Sequence, residues 1–400
     1  MNNLVSSRYS QKIIFTLLSM LAVSFVLSLF VMQLAAALLF ILWLFEKKDE
    51  KKKAFDLITA FVLVFGLVRL ITIFLSEFPQ TSYESLYKEA LFYTTAVALP
   101  FYLKTLEKKK VIELMMVFIL GATVISVIGA TRFFIGDVER AQSFSSSYTV
   151  FSGYLLTAFV SALFYPKSDK KFSQHIFWAF VYSILFLGLL TSLGRANIVI
   201  AFLFFLIAIV LRRIPLKQII ILLVIGLLGL GIYSLRPSQA IGERVENITQ
   251  LSDRDIIWQG AKEILSEHPV FGFGPRTFQQ AFPLKEKFAD KGIGGWHNDF
   301  LQIYFESGIV GLISFLILLY VIIKTSINQI TNKKTDAELK SLSASVLASV
   351  IALIFSALVA GFITSVVLSI VFIFLISFLS RIDHEIKSVE KEPEPNSTVH

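Results

Sequence analysis

Apolar segments recur near residues 13–27, 30–45, 54–76, 86–103, 111–131, 148–165, 175–192, 196–211, 217–234, 308–324, 342–360 and 362–380, and they leave the chain few ways to fold. A helix needs roughly 20 apolar residues to cross the hydrocarbon core of a bilayer, and segments of this length read as helices rather than as the shorter strands of a barrel. The expected class is an all-α polytopic membrane protein with about 12 transmembrane helices. With 55% hydrophobic residues and a mean hydropathy of +0.72, the chain lies far from the composition of a soluble domain. The first run, Ile13 to Leu27, continues directly into a second without a convincing cleavage site, and reads as a retained helix. The first two and the last two runs have almost no connector. Tight hairpins are preferred there, because a single helix of that length would far exceed the membrane.

The charge pattern orients the chain. Lys and Arg fall in short clusters, EKKDEKKK (46–53), KTLEKKK (104–110), PKSDKK (166–171), RRIPLK (212–217), 324–340 and from Arg381 onward, while 76–85 has none and 132–147 has two. Short cytoplasmic loops are the ones enriched in cations, so both termini are expected on the cytoplasmic side. The net charge of +8 is spread among these clusters and forms no basic face for nucleic acid. Cysteine is absent, which excludes disulfides and thiolate metal sites. The organisation expected is helices 1–9 within 1–234, a periplasmic loop at 235–296, the last three helices within 297–380, and a disordered cytoplasmic tail at 381–400. Its end, EKEPEPNSTVH (390–400), is charged and contains proline, with nothing to bury.

The loop 235–296 is far longer than the other connectors, and loops of such length usually carry function. Within it, SDRDIIWQGAKEILSEHP (252–269) predicts an amphipathic helix capped by Ser252 and Asp255 and ended at His268–Pro269, with a stripe of Ile256, Ile257, Gly260, Ala261, Ile264 and Leu265. Arg254 lies one turn before Ile257 and Trp258 and so faces the buried side; it either pairs with Asp253, Asp255 or a neighbouring loop, or serves a site. The Asp-Arg-Asp string mimics a two-aspartate metal site, but capping explains both carboxylates, and no metal is expected. VFGFGPRTF (270–278) reads as a tight turn leading back to the membrane.

Three more polar features stand against hydrocarbon. Arg195, in LLTSLGRANIVI, occupies an external hairpin, and Arg69 interrupts the third apolar run, as a functional residue or as one that snorkels to lipid phosphate. In GGWHNDFLQIYFESGIVG (294–311), a turn of roughly 100° per residue puts Asn298, Asp299, Gln302 and Glu306 on one face. His297 falls on the other face, at the first turn of the helix, as an interfacial residue or as one facing a cavity. Asp299 and Glu306 are read as ordering the junction of loop and helix, with Gly308 and Gly311 permitting close packing.

Taken in order, the arginine of TSLGRANIV, the D-R-x-x-x-W helix, the P-x-x-G-x-G turn and the H-N-D-x-x-x-x-x-x-E-x-G-x-x-G segment resemble the O-antigen ligase and O-antigen polymerase superfamily. The specific motifs lie within about 190–311. The resemblance implies a glycosyltransferase of the bacterial inner membrane that takes a glycan from undecaprenyl pyrophosphate on the periplasmic face. The acceptor would be the lipid A core for a ligase or a second lipid-linked glycan for a polymerase; a protein hydroxyl is a third option, and a transporter or flippase the rival of another class. It also implies catalytic roles for Arg195, Arg254 and His297, with Arg276 and Arg69 as further phosphate contacts and no cofactor.

Overall fold

The computed structural model describes residues 8–166, 171–224, 254–288 and 295–391, and among these every regular element is helical. The expected helices at 13–27 and 30–45 are α1 (Arg8–Ser24) and α2 (Leu29–Leu44), separate elements, with Ser28 capping the second. A short α3 (Lys48–Ala54) precedes α4 (Leu57–Phe74), α5 (Pro79–Thr105), α6 (Lys108–Phe134), α7 (Tyr148–Phe164), α8 (Phe172–Ser192) and α9 (Arg195–Val210). Residues 216–224 are helical, and the rest of the expected 217–234 run lies outside the described residues. In the long loop stands α10 (Arg254–Glu263), followed by α11 (Asp299–Thr331), α12 (Ala337–Ala357) and α13 (Val366–Lys391). Six of these helices are long and apolar enough to cross a membrane: α4, α6, α8, α11, α12 and α13. α1, α2, α7 and α9 are shorter apolar helices, and α5 starts with a polar half.

α13 is the most enclosed helix, packed against α5, α7, α11 and α12. It also corrects the expected tail. The helix runs on to Lys391 because Ile382 and Ile386 are buried and Arg381 is anchored, its Nε donating to Leu106 O (3.2 Å) and its Nη1 to Glu385 (2.5 Å). Residues 392–400 lie outside the described residues. Small hydroxyls join α7 to α12: Ser161 and Ser349 share a hydrogen bond of 2.8 Å and Ser345 donates to Ser161 O (2.8 Å). Such residues let helices approach closely where lipid removes the hydrophobic drive between them.

The connectors sort into two ends. At one, Lys104 pairs with Asp56 (2.7 Å), Lys108 with Asp336 (2.9 Å), and Arg213 donates to Ser341 (3.0 Å). At the other, Ser76 and Glu77 hold Phe273 O, the Ala141 N–H meets Thr191 O, and Ser145 donates to Leu27 O. This grouping follows the split between cation-rich and cation-poor connectors read from the sequence.

The most consequential departure is inside α11, which begins at Asp299, two residues after the start expected at His297, and is broken at Gly308 (φ 64°, ψ −166°). In an unbroken helix the N–H groups of Ile309 and Val310 would bond to Phe305 O and Glu306 O. Here they donate instead to Pro269 O (2.8 Å) and Val270 O (3.4 Å), while Phe305 O and Glu306 O accept from the N–H groups of Phe273 (2.7 Å) and Gly274 (3.1 Å). The Pro-Val-Phe-Gly-Phe-Gly turn is thus stitched into the helix, so the four backbone groups freed by the break are satisfied by protein. Glycine is required on both sides. A Cβ on Gly308 would lie 2.0 Å from Val270 O, and one on Gly272 (φ 70°) 2.6 Å from the backbone of Phe305, Glu306 and Ser307. Close packing at Gly308 was expected; the exchange of hydrogen bonds is the reason for it.

Candidate functional site

The loop carries its own small core of Ile257, Ala261, Ile264, Phe273, Phe278, Phe282, Trp296 and Phe305. Trp296 stacks on Phe305 (centroids 4.0 Å apart) and meets Phe278 edge-on, and Gly260 leaves room for the Phe282 ring. This fixes α10. The helix is shorter than expected, ending at Glu263 rather than His268, because the chain must turn there to reach the break in α11. Leu265 and Trp258, both assigned to the buried side, are 49% and 57% exposed. The capping positions Ser252 and Asp253 lie outside the described residues.

The same core positions His297. Trp296 before it is buried, with its N–H donating to Gln302 Oε1 (3.1 Å), and Asn298 after it caps α11, accepting from Phe300 (2.9 Å) and Leu301 (3.1 Å). His297 therefore precedes the helix instead of sitting in its first turn, held at φ 49°. Non-glycine residues rarely adopt left-handed backbone, and where they do the surroundings enforce it, often at functional sites. Besides Arg212, the others are Leu193, two residues before Arg195, and Arg276.

Arg195 opens α9, where Asn197 donates to Ser152 (2.8 Å) and accepts from Ser356 (2.8 Å), tying α9 to α7 and α12. Arg254 opens α10 and donates from Nη2 to Val359 O (2.7 Å), a contact with a neighbouring loop, one of the pairings considered from sequence. Arg254 stands between the other two predicted residues, within electrostatic reach of Arg195 and of His297. Burial pushes the Arg254 guanidinium down from its ordinary pKa, and the Arg195 charge adds to this while Tyr148 opposes it. His297 is open to solvent on one side, yet burial of its ring and the Arg254 cation hold its pKa below the usual imidazole value, which favours the neutral form near pH 7.

Arg69 and Arg276 form a second group. Arg69 does not snorkel. It is 3% exposed, forks onto Glu89 (Nε 3.0 Å, Nη2 2.5 Å) and gives Nη2 to Glu306 (2.8 Å). The fully buried Glu306 also accepts from the Arg276 N–H (2.7 Å) and from Gln302. Arg276 donates from Nη2 to Thr364 O (3.0 Å).

The connector between α12 and α13, read as almost absent from sequence, joins the two groups. Its carbonyls accept from Asn298 (Leu358 O, 3.2 Å), Arg254 (Val359 O) and Arg276 (Thr364 O), and its Phe362 and Ile363 N–H groups donate to Asp299 (2.7 and 3.1 Å). Sequence reasoning missed this strand of backbone and Glu89. It could not have signalled itself, because the connector contributes main-chain atoms.

Among the described residues no cluster of His, Asp and Glu could hold a metal ion. Two arginines beside a histidine instead suit an anion and a proton transfer. Residues 178–316 match the family model described as O-Antigen ligase. This segment, about a third of the chain, is similar to an O-antigen ligase domain. A search of curated proteins finds no match. The matched segment spans Arg195, Arg254, Arg276, His297 and Glu306, and supports a membrane enzyme of the ligase or polymerase type, a family that acts in general on a lipid-linked glycan and an acceptor. Arg69, Glu89 and the 358–364 connector lie outside the matched segment.

Proposed function

We propose that the protein is an O-antigen ligase-like glycosyltransferase of the inner membrane that moves a glycan from undecaprenyl pyrophosphate to an acceptor sugar of the lipid A core. The donor diphosphate lies at Arg195 and Arg254 and the attacking hydroxyl at His297, on the periplasmic face. The observation that supports this reading is that Arg254, which opens α10, lies within electrostatic reach of both Arg195 at the start of α9 and His297 before α11. A lipid pyrophosphate is a good leaving group, so the main demand on the protein is to stabilise the charge that grows on its phosphates. Guanidinium forks meet that demand by paired hydrogen bonds without a metal. A neutral imidazole accepts the proton of the hydroxyl as it attacks the anomeric carbon. One displacement inverts that carbon.

A polymerase, with a second lipid-linked glycan as acceptor, uses the same donor site. A transporter is less well supported: broken helices in transporters leave half-helix ends for substrate, whereas the break at Gly308 is filled by the chain's own loop. The test supplies purified protein with a lipid-pyrophosphate glycan and offers, separately, lipid A core and a second lipid-linked glycan. Product on the first identifies a ligase and product on the second a polymerase. Transfer to neither acceptor, with donor and protein intact, would sink the reading.

A further inference from the structure

The stretch 132–147, which leads from α6 to α7, holds two cations, Arg132 and Arg140, and they are used differently. Arg132 is consumed inside the stretch, by Asp137 (2.5 Å) and Ser143 O (3.1 Å). Arg140 reaches forward instead, and its guanidinium lies over the ring of Tyr148, 4.2 Å from the centroid. Tyr148 is the first residue of α7 and is exposed. The chain beside Arg140 is tied toward the next hairpin: the Ala141 N–H donates to Thr191 O (2.9 Å), four residues before Arg195.

Contacts between helix ends fix where this pair stands. Ser152 follows Tyr148 by one turn on the same face of α7. It accepts from Asn197 (2.8 Å), and its Oγ would lie 3.0 Å from a Cβ on Gly194, so it packs against the residues on either side of Arg195. Asn197 in turn accepts from Ser356 (2.8 Å); the Ser356 carbonyl holds the Val359 N–H (3.0 Å), and the Val359 carbonyl holds Arg254 (2.7 Å). Tyr148 is therefore four residues, about 6 Å of helix rise, farther out than the level at which α7 meets the start of α9. Arg254 senses it, since Tyr148 is among the groups that act on its charge.

This position narrows the ligand. A diphosphate held at Arg195 and Arg254 with its alkyl chain in the bilayer projects its sugar away from the hydrocarbon, to the side on which Arg140 and Tyr148 stand. An aromatic ring receives the apolar C–H face of a pyranose, and a guanidinium stacked on that ring keeps in-plane N–H groups for sugar hydroxyls.

We infer that Arg140 and Tyr148 form the sugar subsite of the donor and contact the sugar unit joined to the diphosphate. The inference rests on the donor site proposed above, and adds to it two residues from a connector outside 178–316.

The test is calorimetric titration of the full chain in neutral detergent with two probes of equal charge, citronellyl methyl pyrophosphate and citronellyl pyrophosphate carrying one N-acetylglucosamine in place of the methyl group. Wild type should bind the sugar-bearing probe about tenfold more tightly. Tyr148→Ala and Arg140→Gln should each remove most of that preference and leave the methyl ester bound nearly as in wild type, Tyr148→Phe should keep it, and Arg195→Ala should weaken both probes. Arg140→Gln, in the connector, tests the pair even if Tyr148→Ala fails to fold. Equal affinity for the two probes in wild type, or a preference that survives both substitutions, would overturn the inference and leave the donor site standing. Binding of neither probe would remove the donor site and the subsite with it.

Discussion

Replacing Glu306 by Gln probes the centre of the network with the smallest change of shape. All three partners of this fully buried carboxylate are donors: Arg69 Nη2, the Arg276 N–H and the Gln302 amide. A glutamine offers one acceptor oxygen and one NH₂ group, so in either orientation a donor faces a donor, and Arg69 loses one of its two counter-charges. Removing one partner of a buried ion pair costs about 3–5 kcal/mol. With an unfolding entropy of about 2.1 cal/mol/K per residue over 400 residues, or roughly 0.8 kcal/mol/K, the melting temperature should fall by about 4–6 °C. Intrinsic-fluorescence melting in detergent measures this, with far-UV circular dichroism to establish that helix content is unchanged. Glu286→Gln, on an exposed loop position, is the control and should stay within about 1 °C of wild type. If Glu306→Gln melts as the control does, the buried network contributes nothing and the account given of Arg69 is wrong.

Arg195→Lys and Arg254→Lys keep the charge and lose the fork; each should lower glycan transfer by about 10²-fold or more while melting stays near wild type, and equal turnover in the purified variants would refute their role. His297 titrates below the ordinary imidazole value, so transfer should be flat near pH 7 and fall as pH drops below about 6.5 through the lowered pKa. The unfolded chain takes this proton first, so the His297 contribution also destabilises the fold over that acid window and has no effect above it. Arg254→Gln should move the titration of His297 upward, read as the pH dependence of its carbethoxylation by mass spectrometry; an unmoved midpoint would contradict the coupling. Gly308→Ala places a Cβ against Val270 O at a backbone conformation other residues avoid, and should cost at least about 1–3 kcal/mol, visible as a lower melting temperature.

The helices were legible because a long apolar run in a membrane chain has no alternative structure. The donors of the site were legible too: Arg195, Arg254 and His297 are polar residues set where position alone makes them conspicuous. Their acceptors were not. Val359 O, which accepts from Arg254, is a backbone atom in an apolar connector, as are Leu358 O and Thr364 O, which hold the neighbouring Asn298 and Arg276; Glu89, the partner of Arg69, sits in the polar half of α5, where one more carboxylate excites no attention. The pairing of Arg69 with Glu306 spans 237 positions, a distance no local pattern encodes. The end of α10 was misplaced for a related reason. Its periodicity continues through Leu265, but the chain leaves the helix to meet α11, and that tertiary demand outweighs local propensity.

The stitch at Gly308 divides α11 into two mechanical parts. The turns from Asp299 to Ser307 are bonded to the loop as firmly as to the rest of their own helix, so they belong to the extramembranous cap as much as to the bundle below. Any displacement of the cap therefore carries His297 and the Glu306 junction with it as a single body.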